Sequence, residues 1–131
     1  FDGSEHACKA AELAGDMARE NEVEIYIVVV YEELPAYLGR PGFQNILSAR
    51  LQHAEELMEQ ALEEVGETPK KIETEILEGP PAEAILNVAK TRKNDLIIMG
   101  TRGLGRLSGL LMGSVSQKVV AHAPCPVLLA R

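Results

Sequence analysis

The sequence predicts an α/β fold: an open, doubly wound parallel sheet with helices on both faces. Three observations predict it. Short aliphatic runs alternate with longer segments of helical period, and strands separated by helices pair in parallel through right-handed crossovers. The run Ile25-Tyr-Ile-Val-Val-Val-Tyr31 is apolar without interruption, as expected of a strand buried on both faces. Hydrophobic residues are 46% of the chain and aromatic residues only 4%, a balance that suits Ala-rich helices packed on a sheet. The 131 residues fit one domain, 1–131.

The chain opens on Phe1-Asp-Gly-Ser-Glu5. This reads as the end of a strand entering a helix, and a first strand before Phe1 is the expectation, because a sheet without it leaves apolar helix faces uncovered. Ser4 caps a helix over about Glu5 to Glu20, with Ala7, Ala10, Ala11, Ala14, Met17 and Ala18 on its apolar stripe. The strand Ile25 to Tyr31 follows. Glu32 to Gly42 contains Pro35, Gly39, Pro41 and Gly42 and reads as a mobile loop. A second helix over Phe43 to Val65 carries Leu47, Leu51, Ala54, Met58, Ala61, Leu62 and Val65 on one face and a glutamate-rich, solvated face opposite.

Lys71 to Leu77 alternates Ile72, Thr74 and Ile76 with Glu73 and Glu75, a strand near a sheet edge. Gly79-Pro-Pro81 ends it, and Pro81 suits the first position of a short helix over Ala82 to Lys90. Asp95 to Met99 is the next strand. A glycine-rich loop leads into a helix over Val115 to Ala121, where His122 meets the last carbonyls. His122-Ala-Pro-Cys-Pro126 breaks the chain before a final strand, Val127 to Ala130.

Charge and composition exclude several functions. The formal net charge is −7, which argues against nucleic acid and against an anionic membrane surface as partners. No apolar run approaches the ~18 residues of a membrane span, and no signal peptide is evident. Cys8 and Cys125 make no disulfide framework and read as reduced thiols in a cytoplasmic protein. His6, His53 and His122 lack zinc-ligand spacing, and no Ser/His/Asp or Cys/His arrangement points to nucleophilic catalysis.

The informative segment is Gly100-Thr-Arg-Gly103, nine further residues, then Gly113-Ser114. It leaves a strand and enters a helix. Glycines let the backbone approach a ligand closely, and the N–H groups at a helix start attract anions. Ser114 and Ser116 add hydroxyls suited to phosphate oxygens. A nucleotide is therefore the first ligand to consider. The loop has no Gly-Lys-Ser/Thr, so it is not a Walker A loop, and its spacing does not fit a dinucleotide fingerprint. In parallel α/β sheets ligands bind beyond the C-terminal strand ends, where strand order reverses. Asp2, Val30 and Gly100 fall at that rim. Arg106 beside the loop could steer anions or be simply solvated.

Asp95-Leu-Ile-Ile-Met-Gly-Thr-Arg-Gly103 with Leu110-Leu-Met-Gly-Ser-Val-Ser-Gln-Lys-Val-Val-Ala-His-Ala-Pro-Cys-Pro-Val-Leu-Leu129 resembles the universal stress protein family. The family pattern Gly-x2-Gly-x9-Gly-Ser/Thr falls on Gly100, Gly103, Gly113 and Ser114. Asp2-Gly-Ser-Glu5 and Gly79-Pro-Pro-Ala-Glu-Ala-Ile85 resemble two further family segments, so the likeness runs the length of the chain. The resemblance implies five parallel strands, the first outside this sequence, and ATP as ligand. It places Asp2 beside the adenosine and phosphates, Val30 at the adenine, and Met99, Gly100, Arg102 and Gly103 along the ribose and phosphates. Gly113, Ser114, Val115 and Ser116 hold the phosphates. Arg102 stands where relatives often carry His, so its contact, phosphate or solvent, stays open. Asp2 is also the candidate carboxylate for Mg²⁺ beside a triphosphate, or simply a helix-entry residue.

The function expected is an ATP-binding regulatory protein of the stress-response type, a nucleotide-dependent switch with no dedicated catalytic base. A weak Mg-dependent ATPase and an interaction module that binds no nucleotide are the alternatives. The apolar final strand invites pairing with another chain, and the resemblance implies a homodimer through it.

Overall fold

The computed structural model describes residues 1–37, 39–105 and 112–131. Arg106, and with it the expectation that it steers anions, lies outside the described residues. Helix α1 spans Glu5–Asn21, strand β1 Tyr26–Tyr31, α2 Arg40–Val65, β2 Glu73–Glu78, α3 Pro81–Thr91, β3 Ile97–Gly100, α4 Ser114–His122 and β4 Val127–Ala130. Helix and strand alternate as the periodicity predicts.

Ser4 caps α1 as expected, its hydroxyl accepting from the Ala7 N–H. The apolar face of α1 buries Ala7, Ala10 and Ala18. Gly15 lets α1 and α2 approach closely, because a Cβ there would collide with the Val65 carbonyl oxygen. Helix α2 begins at Arg40, earlier than the expected Phe43, with Gly39 as its cap and Pro41 in its first turn. Proline breaks a helix interior but suits the first turn, whose N–H groups lack intrahelical partners in any case. The expected inward face of α2 is partly corrected. Ala54, Met58, Ala61 and Val65 are buried, whereas Leu51 and Leu62, at the margin of that face, are each 37% exposed.

The strands form two parallel pairs. Strand β1 pairs with β2 from Tyr26 opposite Glu73 to Tyr31 opposite Glu78, and β3 pairs with β4 from Ile97 opposite Val127 to Gly100 opposite Ala130. Each pair has its own core. Ile27 and Val29 of β1 pack with Ala54, Met58, Ala61 and Val65 of α2. Ile97 of β3 packs with Ala82 and Ala89 of α3 and Val119 of α4. Side chains alternate across a strand, so Gly100, odd-even partner to the α3/α4-facing Ile97 and Met99, faces the other way. It meets α1 there, where a Cβ on Gly100 would stand 2.7 Å from His6 Cβ. Helices thus cover both faces.

Between the two pairs lies a cavity of about 660 Å³. Its walls are Ile25 to Val28 of the β1 segment, Leu96 to Met99 of the β3 segment, and the small residues Ala7, Ala10, Ala11 and Ala14 of α1. Phe1 stands at its end, with its backbone nitrogen donating to the Val28 carbonyl at 2.6 Å. The described residues thus form four strands in two parallel pairs, with this cavity between β1 and β3. Among the described residues no helix is long and apolar enough to cross a membrane.

Candidate functional site

Strands β1 and β3 end on the same rim, where the first turns of α1, α3 and α4 also converge. A cavity of about 280 Å³ opens there. The residues expected from the sequence to contact the nucleotide line it: Asp2, Val30, Met99, Gly100, Arg102, Gly103, Gly113, Ser114, Val115 and Ser116. Residues up to 114 positions apart in the chain (Asp2 and Ser116) are brought around one space.

The cavity has two halves of different chemistry. Val28, Val30, Pro81, Ile85 and Met99 make an apolar half, suited to the flat face of a base. Pro81 and Ile85 were not singled out as site residues. The signal was present in Gly79-Pro-Pro-Ala-Glu-Ala-Ile85, but the segment reads equally well as a strand end and a helix start.

The polar half is built from Gly100 to Gly103 and the start of α4. Gly113 caps α4 without a side chain, so the N–H groups of the first turn, Ser114 to Ser116, have no intrahelical acceptor. The Gly113 N–H itself is spent on the Thr101 carbonyl at 2.7 Å. Ser116 is 2% exposed, and its hydroxyl donates to the Thr101 carbonyl at 2.7 Å, with the Gly113 carbonyl at 3.0 Å. Its hydroxyl hydrogen thus closes the loop, and its backbone N–H is what it presents to a ligand in this conformation. Ser114 is exposed at the mouth.

Asp2 reaches the loop from the other side. Its Oδ1 accepts from the Ser4 N–H at 3.0 Å and the Ser4 hydroxyl at 2.6 Å, which fixes the carboxylate at the helix entrance. Its Oδ2 faces Gly103, 2.5 Å from where a Cβ on that residue would stand. Asp2 is therefore both a helix-entry residue and a wall of the cavity. Arg102 lines the cavity and, among the described residues, forms no salt bridge. Among the described residues no cluster of three or more His, Cys, Asp or Glu could hold a metal alone. Asp2 is the one carboxylate among the described residues that line this cavity.

The glycines differ in what they are for. Gly100 is required by packing, since a Cβ would strike the backbone and Cβ of His6. Gly113 is required by neither packing nor backbone. Its φ is −74°, and a Cβ there would sit 3.5 to 3.7 Å from Arg102, Thr101 and Gly103, at ordinary contact distance.

Comparison with known proteins agrees with this architecture. The model of the universal stress protein family matches residues 1–131. A universal stress protein of Thermus aquaticus is 48% identical over 131 residues, covering 100% of this chain and 94% of the relative. The structure of the universal stress protein UspA from Lactobacillus plantarum superposes with a TM-score of 0.87 at 29% identity, covering 100% of this chain and 93% of that one. A universal stress protein solved in complex with cAMP superposes with a TM-score of 0.65 at 27% identity, covering 100% and 91% of the two chains. With its parallel strands, four helices and full-length match, this chain belongs to the universal stress protein family.

Proposed function

We propose that this protein binds an adenine nucleotide, with ATP as the working ligand, and acts as a nucleotide-dependent regulatory switch. The observation that carries the reading is the cavity that Asp2, Arg102, Gly103 and the first turn of α4, Ser114 to Ser116, line together, with Gly113, which neither the backbone nor the packing requires, as the helix cap. The apolar half of the cavity suits adenine, and the N–H groups of Ser114, Val115 and Ser116 with the Arg102 guanidinium suit phosphates. The cAMP complex of a relative 27% identical to this chain supports an adenine nucleotide as the ligand class. Mg²⁺ would sit between the phosphates and Asp2 Oδ2, where it would neutralise phosphate charge.

The switch is conformational. A ligand shifts an equilibrium only by its different affinity for two states, and the first turn of α4 with Gly100 to Gly103 is where a phosphate would make the difference. Strand β4 carries Leu128, 37% exposed, and among the described residues β4 pairs with β3 alone, leaving its other edge without a strand. We place a homodimer contact on that edge.

Isothermal titration with ATP, ADP, AMP and cAMP, with and without Mg²⁺, tests the reading. Saturable one-site binding of ATP, weakened by Gly113→Val, is expected. No heat of binding with any nucleotide, in protein verified free of bound nucleotide, would overturn it in favour of an interaction module. Light scattering tests the dimer, which Leu128→Asp should reduce to monomer.

A further inference from the structure

We propose that Thr101 and His6 are positioning residues for the phosphate cradle: α1 holds Thr101 through His6, and Thr101 in turn fixes the start of α4. The inference rests on the nucleotide reading above for its function, but its geometry stands without a ligand.

Thr101 joins four parts of the fold. Its N–H donates to the Ala130 carbonyl of β4 at 2.9 Å. Its carbonyl accepts from the Gly113 N–H at 2.7 Å and from the Ser116 hydroxyl at 2.7 Å. Its hydroxyl meets His6 Nδ1 at 2.8 Å. The first three bonds join the two arms of the glycine loop to the sheet. The fourth comes from α1, 95 residues away in sequence. Thr101 is 7% exposed, so little solvent can replace a lost partner. A hydroxyl both donates and accepts, so the pair is satisfied in either tautomer of His6.

His6 is itself held in place. It lies in the first turn of α1 with its Cβ pressed against Gly100. The neighbouring contacts of α1 reach the same strand end, because the Ser4 hydroxyl lies 3.4 Å from the Arg102 carbonyl and Asp2 faces Gly103. The first turn of α1 thus braces Gly100 to Gly103 from one side while Thr101 draws Gly113 and Ser116 in from the other. Removing the Thr101 hydroxyl or the His6 ring frees the Thr101 carbonyl to shift, and the N–H groups of Ser114 to Ser116 lose their aim.

The test uses Thr101→Val and His6→Leu, which remove the bond while keeping bulk, with Thr101→Ser and His6→Asn as conservative variants that retain a polar partner. Two readouts are taken. In ligand-free protein, amide exchange at Gly113 reports its bond to the Thr101 carbonyl. Affinity for ATP and for adenosine separates the phosphate half of the site from the base half. Thr101→Val and His6→Leu are expected to speed Gly113 exchange about tenfold relative to the global rate. They should weaken ATP about tenfold while leaving adenosine within roughly twofold. Thr101→Ser and His6→Asn should stay near wild type in both. Unchanged Gly113 exchange in both disabling variants overturns the proposal, as does equal weakening of ATP and adenosine. Should wild-type protein bind no nucleotide, the nucleotide reading falls, and Gly113 exchange alone still decides the positioning claim.

Discussion

Replacing Gly113 with valine separates what the fold needs from what a ligand needs. The backbone at Gly113 is extended, with φ −74° and ψ 163°, a conformation β-branched residues adopt readily. A Cβ finds only ordinary contacts at 3.5 to 3.7 Å. The cap contributes no side-chain hydrogen bond to lose. Glycine is still a better cap than valine, so the variant should be less stable by at most about 1 kcal/mol. The loss on the ligand side is larger. Bulk at this point keeps a phosphate from the free N–H groups of Ser114 to Ser116. Hydrogen bonds to a charged group contribute about 1.5–3 kcal/mol each. Losing one of them weakens ATP roughly tenfold to a hundredfold, and losing a second more. Thermal denaturation with and without ATP reads both terms. At 100 times its dissociation constant, ATP should stabilise the wild type by about 2.7 kcal/mol, roughly 10 °C for a domain of this size. Gly113→Val should melt within a few degrees of wild type without ligand and show a much smaller shift at the same ATP concentration. An undiminished shift would show that the absence of a side chain at Gly113 does not serve the ligand.

Three further outcomes follow from the packing. Gly15→Ala drives a Cβ into the Val65 carbonyl where α1 crosses α2, and chemical denaturation should show a loss of about 2–4 kcal/mol, against a small change for Gly39→Ala, where the space is open. Burial, then the Glu64 and Glu12 carboxylates and Asp2, push the Cys8 thiol above its ordinary pKa. The thiolate is the reactive form, so Cys8 should react with iodoacetamide more slowly than free cysteine at pH 8, followed by mass spectrometry, and should accelerate on unfolding. Fusing a six-residue Val/Ile-rich segment to Phe1 offers the cavity between β1 and β3 a strand. Each buried aliphatic side chain contributes about 1.5–3 kcal/mol against about 1–2 kcal/mol of backbone entropy per residue. The midpoint of unfolding should rise by several degrees, and a Ser/Gly segment of equal length should leave it unchanged.

The parts of the fold that were legible were those written in local sequence. Ser4 before an alanine stripe announced α1, and Ile25 to Tyr31 announced β1. Pro41 misled at the start of α2, because composition alone does not distinguish a proline in a loop from one in a first turn. Leu51 and Leu62 misled for another reason. Helical period places them near the apolar face, but the face is only as wide as the partner that covers it, and β1 and α1 cover Ala54, Met58, Ala61 and Val65. His122 was legible and bonds the Lys118 carbonyl at 3.0 Å.

The candidate site divides in the same way. Gly100, Gly103, Gly113 and Ser114 were visible through their spacing, and the resemblance supplied Val30 and Met99. The pairing of His6 with Thr101 was not visible, because it joins elements far apart in the chain and neither residue type is distinctive there. Nor did the sequence separate the tasks of the glycines. Gly100 serves the contact with α1, whereas a Cβ on Gly113 meets Arg102, Thr101 and Gly103 only at ordinary contact distance.

The central claim is that phosphate docks on the first turn of α4. Amide chemical-shift mapping of the full chain during an ATP titration tests it most directly. The account predicts saturable shifts concentrated at the N–H groups of Ser114, Val115 and Ser116, with smaller ones at Val30 and Met99. Saturable ATP binding that leaves those three amides unmoved would contradict it.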